Sequence, residues 1–91
     1  MNEHFLKSEL VIKQLVYENF SAALNSDQKS PFVVTKRLPH DAPKELVRLT
    51  ERYVNGGCAD ESILKELNTL ISKRMSEIIS EYRTAYSEIH P

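Results

Sequence analysis

The sequence has no tryptophan, a single cysteine and two glycines among its 91 residues, and its longest apolar runs, such as Leu10–Ile12, are three residues. Each shortage excludes something. One cysteine, Cys58, rules out an intrachain disulfide framework and fits a reducing compartment. Two glycines and four prolines supply too few turns for an all-β fold. Such short apolar runs leave no membrane span and no signal-peptide core. A net charge of −1 gives no global pull toward nucleic acid or anionic lipid. The expectation is a cytoplasmic protein that does not enter a membrane. Its hydrophobic share of 41% is enough for one small core, so residues 1–91 are read as one domain.

Residues that carry chemistry are equally scarce. His4, His40 and His90 are far apart and have no metal-ligand spacing. His40 beside Asp41 reads as loop and helix-cap chemistry. Cys58 follows Gly56-Gly57 just before a helix start, where backbone N–H groups can stabilise a thiolate. Asp60 and Glu61 put negative charge beside it and no second cysteine is present, so a small residue in a turn is expected. No phosphate-binding glycine loop or nucleophile–base–acid set can be assembled. The expectation is no enzyme, no cofactor and no metal.

What the chain does have is helical periodicity. Residues from about 60 to 90 hold no Gly or Pro and repeat apolar positions at helical spacing from Ile63 to Ile89. Asp60 is a suitable N-cap, and Glu61 favours the positive end of the helix dipole. A first helix is expected over about residues 2–24. Phe5, Ile12, Val16, Phe20 and Ala23 share one face and Leu6, Leu10, Tyr17 and Leu24 lie on its flank, leaving a polar strip only about 100° wide. A helix so widely apolar packs on two sides, and in a chain this short one neighbour can come from a second copy. A shorter helix is expected over about residues 42–55, capped by Asp41, with Pro43 in its first turn and Asn55-Gly56-Gly57 at its end.

Between the first two helices, residues 25–41 read as a linker. Pro31 and Pro39 enclose Phe32, Val33 and Val34 in a β-branched, aromatic run that is extended by preference. Three roles compete: a strap anchored on the helices, a strand paired with its own copy, or an edge offered to a partner. The resulting fold is all-α, three helices in long-short-long order with this strap, forming a helical-bundle dimer.

The last helix makes the case for association. Roughly thirty residues span about 45 Å, whereas a compact chain of this length is only about 30 Å across. Its apolar stripe also drifts near Met75, where the 67–71–75–78 spacing adds a four-residue step. This divides fold contacts before Met75 from association contacts after it. Met75, Ile78, Ile79, Tyr82, Tyr86 and Ile89 form the expected self-association or partner face. Phe32, Val33 and Val34 are a second contact.

The function expected is a small regulatory protein acting through protein–protein contacts as a homodimer: an adaptor, chaperone, inhibitor or immunity-type factor. The rival is a dimeric nucleic-acid-binding transcriptional regulator. Lys44, Arg48 and Arg52 follow one another at four-residue steps, and Lys36 and Arg37 precede them. Glu45 and Glu51 interleave with that row, and acidic Asp60 and Glu61 open the helix a helix-turn-helix would use for recognition.

Overall fold

The computed structural model describes the backbone of residues 3–89 and the side chains of residues 8–84 and 87. It contains four helices: α1 (Glu3–Leu24), α2 (Pro31–Arg37), α3 (Lys44–Asn55) and α4 (Glu61–Ile89). The all-helical class stands, and no strand occurs among the described residues. The expected extended strap does not. Pro31 takes the first helical position, where its missing N–H costs nothing, and Thr35 Oγ1 donates to the Pro31 carbonyl at 2.8 Å. Helical geometry puts Val34 and Leu38 on one side, four residues apart. Val34 is fully buried and Leu38 packs beside it. Burial therefore overrides the β preference of Phe32-Val33-Val34-Thr35, as it commonly does for short segments.

α1 and α4 run antiparallel along most of their length. Near one end Asn25 and Asn68 exchange side-chain amide hydrogen bonds of 2.9 and 3.1 Å. Midway, the Arg74 guanidinium lies 6.0 Å from the centre of the Tyr17 ring. Further along, Leu10 and Val11 share a cleft with Ile78, Ile79 and Tyr82. α2 and α3 pack only alongside the α1 C-terminal half and the α4 N-terminal half, giving a body of 48 × 20 × 18 Å. The radius of gyration is 14.9 Å, against about 12 Å for a compact chain of this length. Here lies the reason the length of α4 is no surplus: the whole molecule is a rod, and α1 accompanies α4.

The core confirms this and corrects the division at Met75. Leu10, Tyr17, Phe20 and Leu24 of α1 meet Leu67, Ile71 and Ile78 of α4, closed at one end by Val34, Leu46, Leu49 and Tyr53. Ile78, expected on an association face, is 1% exposed, and Met75 and Tyr82 pack against the same core. The inward stripe of α4 does not drift. It runs Leu67, Ile71, position 74, Ile78, and position 74 is Arg74. A basic residue at an inward position makes an unbroken stripe look displaced toward Met75. The expectations for Tyr86 and Ile89 concern side chains outside the described residues.

Helix ends follow local chemistry. Asp60 Oδ1 accepts from the Ser62 and Ile63 N–H groups at 2.9 and 3.2 Å, which makes it the expected N-cap of α4. α3 ends in a Schellman turn: Cys58 N–H donates to Tyr53 O at 2.9 Å and Gly57 N–H to Val54 O at 3.0 Å. Gly57 (φ 77°) and Cys58 (φ 59°) both occupy the left-handed region. Gly57→Ala meets no atom within 4 Å, so its cost is backbone strain alone, about 1–2 kcal/mol. Urea denaturation followed by circular dichroism measures it, and an unchanged midpoint would remove this account of the turn. Cys58 itself is buried and closes one end of the core. Asp41 does not cap α3, whose N-cap position is Pro43 with no side-chain hydrogen bond.

Candidate functional site

Seven large apolar side chains are exposed among the described residues: Val11, Ile12, Leu15, Val16, Phe32, Val33 and Ile79. Ile12 is 61% exposed and Phe32 72%. All seven belong to one surface. On α1, Val11 and Leu15 form one row and Ile12 and Val16 the next, each pair four residues apart and so adjacent on the helix. Val11 borders Ile79 in the α1–α4 cleft of about 180 Å³. On the other side Val16 borders Phe32 and Val33 in an α1–α2 groove of about 470 Å³, with Lys36 and Arg37 on its rim.

This surface arises because α1 is apolar over most of its circumference while the fold covers one side. α4, α3 and α2 take the side bearing Leu10, Tyr17, Phe20 and Leu24. Ile12 and Val16, read from the sequence as the packing face together with Phe20, point away from it. Leu15 and Val11 were not singled out by sequence reasoning at all. The signal that marks them is the narrowness of the polar strip, which requires a second apolar side without saying which residues form it.

The expected contact residues are therefore divided. Of the α4 face, Ile79 lies on the exposed surface at 40%, while Ile78 is core. Of the α2 segment, Phe32 and Val33 are exposed, while Val34 is buried. Lys36 Nζ sits 5.9 Å from the centre of the Phe32 ring, a cation–π contact at the groove edge.

The five cations of the nucleic-acid reading are all exposed. Lys36 and Arg37 line the α1–α2 groove, while Lys44, Arg48 and Arg52 lie on the side of α3 opposite its buried residues Leu46, Leu49, Thr50 and Tyr53. None of the five makes an ion pair among the described residues.

A polar cluster that sequence reasoning missed lies between α1, the α2–α3 loop and α4. Arg74 pairs with Asp41, Glu77 and Glu81 at 3.5, 3.3 and 3.2 Å. Tyr17 Oη donates to Asp41 Oδ1 at 3.2 Å. Burial opposes the charge of Arg74, but hydrogen bonds with Tyr17, Glu81 and Glu77 outweigh it and hold the guanidinium protonated. Burial pushes the Tyr17 phenol above its ordinary range, with Arg74 pulling the other way and Asp41 adding to the rise. The three carboxylates are about half exposed, so each ion pair is worth roughly 0.2–1 kcal/mol. Their arrangement ties three chain segments together.

Lys29 Nζ donates to Tyr53 Oη at 2.7 Å. At 5.5 Å from the ring centre the ammonium is end-on beyond the hydroxyl, a hydrogen bond and not a contact with the ring face. That bond raises the Lys29 pKa. Among the described residues no three His, Cys, Asp or Glu side chains are grouped to hold a metal ion. No helix there is long and apolar enough to cross a membrane. No protein-family model, curated protein or solved structure matches this chain.

Proposed function

We propose that this chain is a small non-enzymatic regulatory protein that acts by protein–protein contact, as an adaptor, chaperone, inhibitor or immunity-type factor. The contact surface is Val11, Ile12, Leu15 and Val16 of α1 with Phe32 and Val33 of α2 and Ile79 of α4. One observation carries the reading: every exposed large apolar side chain among the described residues lies on this one surface. Apolar surfaces of several hundred Å² on a folded chain mark interaction sites more often than chance exposure. Phe32, with Lys36 over its ring, is an aromatic anchor of the kind that dominates binding energy.

The test is affinity purification from the source cell with wild-type chain and with Leu15→Asp, after circular dichroism has shown the same helical content. Wild type is expected to retain a stoichiometric protein partner, and the variant to lose it by tenfold or more. Equal recovery with both would remove the reading.

The second reading, nucleic-acid binding, rests on the five exposed cations at Lys36, Arg37, Lys44, Arg48 and Arg52, none of which forms an ion pair among the described residues. Fluorescence anisotropy with a labelled duplex decides it. Phosphate contacts would give binding at low salt that weakens steeply as salt rises. Flat anisotropy at low salt would eliminate it.

A further inference from the structure

We infer that the occupant of the exposed α1 face is a second copy of the same chain, packed with its α1 antiparallel to the first across a two-fold axis. This inference deepens the contact reading above and rests on it. Its first support is the symmetry of the face. The exposed rows Val11–Leu15 and Ile12–Val16 lie on opposite edges of the outer side of α1. A two-fold that reverses the helix keeps each edge facing itself. It therefore sets Val11 of one copy against Leu15 of the other, and Ile12 against Val16. The axis then crosses the outer face at the level midway between residues 13 and 14 along the helix, and the exposed Ser8 of one copy comes opposite the exposed Asn19 of the other. Such self-complementarity is what a closed, isologous interface requires.

Size supports the same occupant. A stable interface buries about 800 Å² per copy, a little over half of it apolar. The seven exposed apolar side chains together supply apolar area of that order, and the polar residues around them supply the rim. Charge fits as well. The reversal carries Glu9, on the α2-side edge of α1, toward the end of α2 that bears Lys36 and Arg37 in the other copy. α1 of the two copies would pack against each other at the centre, with α4, α2 and α3 of each copy on the far side of its own α1.

Two measurements test it. Light scattering at micromolar concentration should give twice the chain mass of 10.5 kDa for wild type. Leu15→Asp and Ile12→Asp should give the single mass, with dimer affinity reduced by roughly a hundred-fold or more. Single-cysteine chains in a Cys58→Ser background report orientation without depending on how those variants fold. A short bis-maleimide should join Ser8→Cys to Asn19→Cys in a mixture, and should not join Ser8→Cys to itself.

A wild type that stays monomeric overturns the second copy. If Leu15→Asp nevertheless abolishes retention of a foreign protein, the contact reading survives with that protein as occupant. If nothing is retained, both fall. A dimer that persists in both aspartate variants, or one that links Ser8→Cys to itself, overturns the antiparallel pairing.

Discussion

Ile78→Asp will strongly destabilise the protein, while Ile79→Asp, one residue further along α4, will leave its stability nearly unchanged. Ile78 is 1% exposed and sits among Leu10, Val11 and Tyr82. An aspartate there forfeits the buried apolar side chain and takes a carboxylate out of water, costing about 4 kcal/mol or more. A domain of this length has only about 5–13 kcal/mol in total, so the midpoint in urea should fall by about 30% or more of its wild-type value. Ile79 is 40% exposed, and its replacement should change stability by less than about 1 kcal/mol. The pair separates two ideas of what α4 does after Met75. Equal, small effects would mean that α1 does not cover this part of α4.

The second large effect centres on Tyr17, which is completely buried under Arg74. Tyr17→Ala empties the middle of the α1–α4 contact and should cost about 3–5 kcal/mol. At 4–8 °C per kcal/mol for a domain of this size, the melting temperature falls by roughly 12 °C or more. Tyr17→Phe keeps the ring and loses the bond to Asp41, a cost of about 1 kcal/mol. Arg74→Met keeps the aliphatic cover and loses three half-exposed ion pairs, again about 1 kcal/mol. Thermal melts of the three variants rank packing above the polar cluster. A Tyr17→Phe cost equal to that of Tyr17→Ala would reverse the ranking.

The same residue sets an alkaline limit. Burial raises the Tyr17 pKa in the folded state, so the neutral phenol is favoured by folding. That contribution is fully present below the ordinary tyrosine value near 10 and is lost as pH rises through the higher folded value. Lys29, also raised by its bond to Tyr53, acts in the same direction but from a more exposed position. The urea midpoint should therefore decline with rising pH in this range, and less so for Tyr17→Phe.

Much of the helical framework is legible in the sequence because its signals are local. Asp60 with two N–H groups to accept from, and Gly57 in the left-handed region, mark their helix ends within a few residues. α2 is hidden because Phe32-Val33-Val34-Thr35 prefers extension, and only the burial of Val34 and Leu38 in the assembled fold tips it to helix. Asp41 looks like a cap in a local window. Its contacts are with Tyr17, 24 residues away, and Arg74, 33 residues away, and nothing nearby in sequence announces them. The candidate surface is half legible for a related reason. The narrow polar strip of α1 announces two apolar sides, but which one meets α4 depends on where α4 lies.

The Schellman turn at Gly57 also bears on the order of assembly. It joins α3 to α4 with only residues 56–60 between them, so that pair closes a very short loop. The Asn25–Asn68 exchange closes one of 43 residues, which costs more chain entropy and gains contacts only after closure. The α3–α4 hairpin is thus a cheaper nucleus than the α1–α4 seam, and α1, joined to α2 through residues 25–30, docks onto it. Gly57→Ala should then act mainly by slowing folding, and losses at the α1–α4 seam mainly by hastening unfolding. A stopped-flow chevron reads both from one set of traces. The element that carries the exposed apolar face is, on this route, the last to find its place.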